Sequence, residues 1–310
     1  MGATTGQHRA DLTFKLVTAF CAIMVIVLMG GIFVELLQNS FLSIKTFGLK
    51  FLASDAWNPG TSEFGALSSM YGTLVSTAIA MLIAVPLGLV IAIYLVEVAH
   101  PAVSRIVGGA VELLAAIPSI IYGMWGLFVL AGVMQKYVQP ALGGTLGFLP
   151  LFKGPPMGIG MLTAGIVLAI MVLPFITAVT RDVLLMVPPV LKESAHGVGS
   201  TMWESVRNVS LRYGRRGIIG AVFLGFGRAL GETMAVTFVI GNSHRISSSL
   251  FAAGNTIASS LANEFNEASE PLYLSSLVQL ALVLFAITLV FQSVAHFWVG
   301  RLQQMETGQR

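Results

Sequence analysis

The sequence contains little charge and almost no cysteine. Of its 310 residues, 10% are charged, against roughly 25% in a typical soluble domain, and 55% are hydrophobic. The mean hydropathy is +0.85. This composition excludes an ordinary soluble domain and predicts an integral membrane protein. The single cysteine, Cys21, excludes a disulfide framework within the chain and a four-cysteine metal site.

Other missing patterns narrow the function. The P-loop pattern G-x-x-x-x-G-K-[ST] does not occur, so we expect neither ATP hydrolysis nor a bound cofactor in this chain alone. No basic run with interleaved aromatic residues occurs, so the net charge of +3 does not indicate nucleic-acid binding. The histidines show no metal-ligand spacing. The energy for any transport across a membrane must therefore come from a partner protein or from an ion gradient.

Long apolar runs dominate the sequence. A helix needs about 20 apolar residues to cross the hydrocarbon core of a lipid bilayer. Six runs are long enough, so the predicted fold class is an all-α polytopic membrane protein with six transmembrane helices. The predicted spans are approximately Leu16–Leu37, Tyr71–Leu95, Ile106–Val133, Gly158–Thr180, Gly217–Ile240 and Tyr273–Val299.

The basic residues predict how these spans are oriented. With a cytoplasmic N-terminus, 11 Lys and Arg residues lie on the cytoplasmic side, five lie opposite, and Arg228 remains within the membrane. Cytoplasmic loops carry the excess of Lys and Arg, so both termini are predicted to be cytoplasmic. The predicted division is a tail over 1–15, a six-span domain over 16–300 with its core at about 71–300, and a tail over 301–310. The first run is too long for a cleavable signal.

Arg228 and Glu232 lie four residues apart within the fifth run. A charge at the centre of a spanning helix costs roughly 2.5–3.5 kcal/mol by insertion scales, so such residues usually have a function. The fork of an arginine binds two oxygens of an oxyanion at once and stays charged. We predict that Arg228 and Glu232 share one helix face and line a substrate path near the membrane midplane. A buried ion pair that only fixes helix packing is the alternative.

Small residues and prolines within the runs predict how the spans pack. Gly227 and Gly231 form a G-x-x-x-G step, which lets a neighbouring helix approach closely. Glu112 is expected to reach the membrane interface near the cytoplasmic end of the third span. The prolines of the spans are expected to kink their helices; they are Pro86, Pro118 and Pro174.

The connections on the two sides differ. Three outward loops are rich in turn-forming residues and are predicted to carry short helices or to contact an external partner; they cover 38–70, 134–157 and 241–272. The cytoplasmic segment 181–216 is long and amphipathic. Pro188-Pro189 predicts the end of one helix, Glu193 lies near the positive end of the next, and apolar residues after Gly199 recur at helical spacing. We predict a helix, a turn and a second helix on the cytoplasmic face, with a helix resting on lipid as the alternative.

A short pattern in this segment resembles the EAA loop of ABC-importer permeases. In that family the pattern is Glu-Ala-Ala, three residues, Gly, nine residues and Ile-x-Leu-Pro. The resemblance implies that the segment forms the coupling helix, which docks into a groove of the ATP-hydrolysing subunit. Arg212 departs from the pattern, since the family usually has proline there. The matching residues are Glu193, Ser194, Ala195, Gly199, Val209 and Leu211.

Three longer motifs, in order along the chain, resemble phosphate ABC transporter permeases of the PstC type. The resemblance covers roughly residues 40–300 and implies the MetI-like permease fold and import of inorganic phosphate across the inner membrane of a bacterium. It also implies a second permease of the PstA type, a PstB-type ATPase dimer that uses ATP and Mg, and a periplasmic PstS-type phosphate-binding protein. The motifs are Phe64-Gly65-Ala66-Leu67 through Tyr71-Gly72-Thr73-Leu74, Glu112 through Gly123, and Gly227 through Thr237.

The residues alone leave alternatives open. Arg228 predicts an oxyanion without selecting phosphate over phosphonate, sulfate or molybdate. An ion-gradient-driven secondary transporter would also hold intramembrane charges, although it would not need the segment from Glu193 to Leu211. A membrane serine protease is disfavoured, because Ser243 and His244 are adjacent at the start of a loop, whereas a nucleophile and its base must converge across the fold.

Overall fold

The computed structural model describes residues 5–307, with side chains described from 11 to 301. This part of the chain is mostly helical, with one two-stranded antiparallel ribbon of β1 (Trp57–Asn58) and β2 (Glu63–Phe64). In chain order the helices are α1 (Thr5–Asn39), α2 (Phe41–Phe47), α3 (Lys50–Ala53), α4 (Leu67–Ile93), α5 (Pro101–Ala115), α6 (Ser119–Trp125), α7 (Ala131–Val133), α8 (Gln139–Leu146), α9 (Met161–Leu185), α10 (Pro189–Gly197), α11 (Met202–Ser205), α12 (Leu211–Leu230), α13 (Met234–Val239), α14 (Ile257–Glu264) and α15 (Pro271–Thr307).

Several of these helices are joined by π-helical turns, so that the chain stays helical across the junction. Gly126–Leu130, Met134–Val138 and Val206–Ser210 are turns of this kind, whereas a fourth π-helical turn, Tyr94–Val98, extends α4 to its end without joining it to α5. Within the described residues, five continuous stretches are long and apolar enough to cross a membrane. They are Asp11–Asn39, Leu67–Val98, Ser119–Leu146, Met161–Leu185 and Pro271–Arg301. The predicted all-α polytopic fold is confirmed, and the predicted count of six spans is not.

The predicted tails overlap these helices. α1 already begins at Thr5, and α15 continues to Thr307, so neither predicted boundary, near residue 15 or residue 301, marks a helix end. Residues 1–4 and 308–310 of the predicted tails lie outside the described residues.

The third predicted span, Ile106–Val133, is wrong in its bounds. Pro118 lacks a backbone N–H and has an extended conformation, with φ −56° and ψ 136°. α5 therefore ends at Ala115, and a new helix begins at Ser119. Pro118 ends a helix instead of kinking one, whereas Pro86 and Pro174 lie inside continuous helices.

The fifth predicted span, Gly217–Ile240, is also divided. α12 ends at Leu230, and α13 begins at Met234 after a short non-helical link. α12 also differs from the five spans at its N-terminal end, which is charged. The charged residues there are Arg212, Arg215 and Arg216. These arginines explain why this helix is less apolar than the five spans.

α9 forms the centre of the fold. Two thirds of its apolar window, 67%, is buried, against 28% in the span that contains α4. α4 and α12 approach α9 closely because each has a glycine at the contact. A Cβ added at Gly225 would lie 2.7 Å from the side chain of Ile176, and one added at Gly88 would lie 3.2 Å from it. The main apolar core therefore surrounds α9.

The loop after α13 folds over the beginning of α9. The amide nitrogen of Met161 donates to the carbonyl oxygen of Ala252 at 3.2 Å, and that of Leu162 donates to Leu250 at 2.8 Å. Short helices occur in the outward loops as predicted, namely α2 and α3 in the first and α14 in the last. These loops form the end of the molecule opposite to α10, because α9 separates the two.

Polar side chains at this end form a hydrogen-bonded group, here called the outer polar cluster, of Trp57, His244, Asn255, Glu264 and Tyr273. The carboxylate of Glu264 accepts hydrogen bonds from Trp57 Nε1 and the Tyr273 hydroxyl, both at 2.6 Å, and contacts His244 Nε2 at 2.7 Å. The His244 ring stacks on Trp57 with 5.1 Å between ring centroids, and its Nδ1 lies 2.8 Å from Asn255 Nδ2. The outer polar cluster thus joins the ribbon, the last loop, α14 and α15.

We expect acid to loosen the outer polar cluster. Burial by itself would raise the pKa of Glu264, but the hydrogen bonds from His244, Tyr273 and Trp57 lower this pKa below its ordinary value of 4.5. A lowered folded-state pKa stabilises the folded protein above the unfolded pKa, and this stabilisation is lost as pH falls through the folded value. The melting temperature of the detergent-solubilised protein should therefore drop as pH falls below about 4.5.

The variant Glu264→Gln identifies the group responsible. It should lower stability at neutral pH by about 1–3 kcal/mol, the usual cost of losing hydrogen bonds to a charged group, and should flatten the acid limb of the melting profile. Glu63→Gln is the control, because Glu63 is exposed on the same ribbon and its side chain has no hydrogen bond or ion pair with any described residue. An unchanged acid limb in Glu264→Gln would contradict the assignment.

Candidate substrate path and coupling segment

Arg228 lies in the last turn of α12, three residues before the chain leaves the helix at Gly231. A cation near a helix C-terminus interacts favourably with the helix dipole. The Arg228 guanidinium also lies over the Phe175 ring of α9, 5.9 Å from its centroid, which is within the range of a cation–π contact. Its side chain is exposed on the surface of this single chain. The arginine is therefore oriented by the protein and still accessible to a ligand.

Glu232 lies in the link between α12 and α13. Its carboxylate accepts a hydrogen bond from the amide nitrogen of Ala235 at 3.2 Å, in the first turn of α13. The prediction that Arg228 and Glu232 share a helix face is wrong, because α12 ends before Glu232 is reached. Both residues lie in the described part of the chain, and no ion pair joins them. The structure does not contain the ion pair that was the packing alternative.

The break after Gly231 has a chemical consequence. A broken helix leaves backbone polar groups without helical partners, and at membrane depth such backbone is tolerated only inside protein or beside a water-filled cavity. A cavity of about 430 Å³ opens beside the break, lined by Gly231 and Thr233 and by residues of α14, including Ala258 and Leu261. Neither Arg228 nor Glu232 lines this cavity, so it adjoins the charged residues without containing them.

The glycine step before the break behaves partly as predicted. A Cβ at Gly227 would lie 2.5 Å from Nε2 at the tip of the Gln292 side chain, so this glycine makes room for a flexible side chain of α15 and not for the α15 backbone. Gly231 instead forms the C-terminal cap of α12, and its amide nitrogen donates to the carbonyl oxygen of Gly227 at 3.4 Å.

The cytoplasmic segment folds as a helix, a turn and a second helix, as predicted. α10 begins at Pro189, and the turn contains Gly199, whose φ of +88° is in the left-handed region that favours glycine. Thr201 and Glu204 form a reciprocal capping box at the start of the second helix. This second helix continues through the π-helical turn into α12, so it is the start of a long helix and not a separate surface helix.

The residues of the EAA-like pattern occupy different positions along this segment. Glu193 is the fifth residue of α10, so the prediction that it lies at the positive end of the helix is wrong. Glu193, Ser194 and Gly199 are exposed, whereas Ala195, Val209 and Leu211 are half-buried. Arg212 lies inside α12, where the helix continues without interruption.

Sequence reasoning missed an exposed apolar patch on the same segment. Its side chains range from 52% exposed at Met202 to 84% at Val198, and they share no single motif. Large apolar side chains that are exposed together on one segment favour an interaction site. The members of the patch are Met186, Val190, Val198, Met202 and Trp203.

Two ion pairs near this end of the molecule were also missed. Arg181 Nη1 lies 2.9 Å from Glu112 Oε1, with the Glu112 side chain 58% exposed. Lys192 Nζ lies 2.8 Å from Glu97 Oε1, and both of these side chains are largely buried. The partners are far apart in sequence and belong to different helices, so no spacing rule could have paired them. Glu112 lies in the last turn of α5, and that it reaches the membrane interface stays a prediction.

The comparison with known families identifies the chain. A family described as "Binding-protein-dependent transport system inner membrane component" matches residues 84–304. The phosphate transport system permease protein PstC of Mesorhizobium japonicum is 55% identical over 296 residues, which cover 94% of this chain and 90% of that protein. The chain belongs to the PstC family. PstC-family proteins are permease components of transport systems, so a membrane enzyme is excluded and the recognised resemblance is confirmed.

Solved structures confirm the fold of this PstC-family chain. A chain of a bacterial alginate ABC transporter, in complex with an alginate pentasaccharide-bound periplasmic protein, superposes with a TM-score of 0.60 at 14% identity, covering 95% of this chain and 96% of that one. A chain of the MetNI methionine ABC transporter superposes with a TM-score of 0.52 at 18% identity, covering 76% and 94%. The ABC-importer permease fold is thus established. Membership of a binding-protein-dependent inner-membrane family also implies an ATPase subunit and a binding protein as partners.

Proposed function

We propose that this chain is the permease subunit of an ATP-driven importer that moves inorganic phosphate across the cytoplasmic membrane. The identity of 55% with a PstC phosphate permease over nearly the whole chain supports this most directly. The chain pairs with a second permease of the PstA type, a PstB-type ATPase dimer that binds ATP and Mg, and a PstS-type phosphate-binding protein. The excess of Lys and Arg at the α10 end supports cytoplasmic termini.

Arg228 and Glu232 line the substrate path in this proposal. A guanidinium can donate two parallel hydrogen bonds to one phosphate, and here Phe175 holds it at the end of a helix. Glu232 repels a fully ionised anion but can accept a hydrogen bond from the protonated oxygen of hydrogen phosphate. The interrupted helix between them resembles the discontinuous helices that form substrate sites in transporters. The path requires the second permease to enclose Arg228, whose side chain is exposed in the single chain.

We call residues 181–216 the coupling segment, and in this proposal the ATPase docks on it. Glu193 and Ser194 lie on the exposed surface of α10, and the apolar patch that includes Val198 and Trp203 continues that surface across the turn. An amphipathic helix with exposed apolar anchors suits a groove on a partner protein. Gly199 forms the turn of the same segment. Its half-buried inner side contains Ala195, Val209 and Leu211.

Uptake of labelled phosphate tests the function and its selectivity together. The chain and its presumed partner subunits are reconstituted in liposomes with ATP on the ATPase side and the binding protein on the other. We expect uptake that needs ATP and the binding protein, that survives a protonophore, and that excess phosphate abolishes while excess sulfate, molybdate or phosphonate does not. Equal competition by sulfate would contradict phosphate selectivity. Uptake that collapses with the ion gradient and ignores ATP would contradict the importer class.

A further inference from the structure

One carboxylate connects three elements at the inner end of the fold. Glu97 lies in the π-helical turn that ends the α4 span, and its side chain is 11% exposed. Its Oε1 accepts a hydrogen bond from Lys192 Nζ on α10 at 2.8 Å and another from Ser210 Oγ at 2.7 Å. Ser210 is fully buried and directly precedes α12. Glu97 thus ties the coupling helix to two long helices at once.

α10 has few other attachments. No residue of α10, all of which are described, is buried. Its other side-chain hydrogen bonds with described residues stay within the segment: Ser194 Oγ donates to the carbonyl oxygen of Val190 at 2.7 Å, and His196 Nδ1 lies 3.2 Å from the carbonyl oxygen of Ser200. Among the described residues, the contact of Lys192 with Glu97 is therefore the polar link from α10 to a membrane-spanning helix.

The carboxylate is next to a small apolar cluster. The cluster consists of closely packed side chains from the ends of α4 and α9 and from the start of α12. Because protein interiors are close-packed, a displacement of one of these helices also displaces the other two. Its buried members are Ala92, Val183, Leu184 and Ile218, and Leu89, Ile93, Val96 and Leu211 pack against them. Leu211, a residue of the EAA-like pattern, immediately follows the Ser210 that bonds to Glu97.

The ion pair of Glu97 with Lys192 differs from a second ion pair at this end of the molecule in the burial of its carboxylate. Arg181 and Glu112 also form an ion pair at this end of the molecule; its arginine is 17% exposed, about as buried as Lys192 at 22%, but its carboxylate is open to water, with the Glu112 side chain 58% exposed against 11% for Glu97. An exposed pair is screened by water and contributes little, whereas removing one partner of a buried pair leaves a desolvated charge without compensation. Among the described residues, Glu97 therefore gives force applied to α10 a polar route to α4 and to the start of α12, in addition to the chain itself, which continues through the turn into α12.

We propose that Glu97 is a positioning residue for energy coupling, through which movement of α10 by the ATPase reaches α4 and α12. This inference rests on the proposed function, because it assumes that α10 docks on the ATPase. Glu97 does not contact the substrate. It holds Lys192 and Ser210 in register, so that closure of the ATPase changes the membrane helices instead of bending α10 alone.

The test measures phosphate moved per ATP hydrolysed by the complete complex in liposomes. Glu97→Gln and Lys192→Met should each lower this ratio roughly tenfold, within the range typical of coupling between sites, while the ATPase continues to turn over. The exchange of charges, Glu97→Lys combined with Lys192→Glu, should restore much of the ratio, since the Ser210 hydroxyl can donate or accept. Glu112→Gln, which breaks the exposed pair, should keep the native ratio.

The outcomes separate coupling from folding. A residue needed only for folding would lower the amount of complex and leave the ratio unchanged in whatever assembles. If Glu97→Gln does not assemble, Lys192→Met decides, because Lys192 lies on a helix that buries none of its residues. Native ratios in both single variants, or no recovery in the exchanged pair, would overturn the proposal. Failure of the proposed function would instead appear in the native complex, as the absence of ATP-dependent phosphate uptake.

Discussion

Phosphate uptake should be lost when Arg228 is replaced by glutamine, although the complex still assembles. Glutamine keeps a hydrogen-bonding side chain but loses the charge and the two-pronged donor that recognise a phosphate. Truncating one partner of a desolvated charge contact costs roughly 2–5 kcal/mol, which corresponds to about a 30-fold or larger loss of uptake. The contact with Phe175 is a smaller loss, about 0.5–1 kcal/mol at an exposed site, so folding should survive.

A second arginine on the chain provides a matched control. Arg301 also lies over a phenylalanine ring, 4.6 Å from the Phe297 centroid, near the end of α15. Arg301→Gln should therefore suffer the same loss of cation–π contact and retain uptake. Arg228→Lys should fall between the native protein and Arg228→Gln, because it keeps charge without the fork. Native uptake by Arg228→Gln at equal assembly would remove Arg228 from the path and reopen the identity of the substrate.

The second large effect is expected at Gly72, in the first turns of α4. A Cβ at this position would lie 1.8 Å from the carbonyl oxygen of Asn255, a clash with backbone. Asn255 cannot easily move away, because its side-chain nitrogen bonds to Ser69 Oγ at 2.7 Å and to Ser260 Oγ at 2.9 Å. Gly72→Ala should therefore destabilise the protein by about 3 kcal/mol or more, at the upper end of overpacking effects.

Gly220→Ala is the control for this substitution. Gly220 lies in α12, and no described atom comes within 4 Å of a Cβ added there. Alanine in a helix interior is favoured over glycine by up to about 1 kcal/mol, so this variant should match or exceed native stability. Thermal unfolding in detergent, followed by size-exclusion chromatography with fluorescence detection, measures both variants. Equal stability of the two would mean that the approach of the loop to α4 at Gly72 is not as tight as described.

The spans that could be predicted are those set by composition alone. Long uninterrupted apolar runs correctly predicted α1, α4, α9 and α15, because hydrophobicity summed over about 20 residues is a robust signal. The break at Pro118 and the one after Gly231 depend on local backbone conformation, to which a sum over 20 residues is insensitive. Proline within a span predicts a kink or an end equally well, and only the surrounding packing decides between them.

The coupling segment was more predictable than the substrate path. Pro188-Pro189 and Gly199 act locally, so the helix, turn and helix followed directly from them. Arg228 and Glu232 could be picked out as charges in an apolar run, but their mutual geometry could not, because it depends on where α12 ends. The link from Lys192 to Glu97 joins residues 95 positions apart and belongs to neither motif. Pairing of that kind is a product of the tertiary fold.

The unbroken helix from Met202 to Arg228 has a mechanical consequence. It comprises the capping-box turn, the π-helical turn and nearly all of α12. At 1.5 Å per residue it is a rod about 39 Å long, and a tilt of about 5° around its midpoint would displace each end by about 1.7 Å in opposite directions. A hydrogen bond is lost over a smaller change in distance than that. If Arg228 binds the anion as proposed, a slight rocking at the Met202 end of this helix is therefore enough to make or break that contact at the other end.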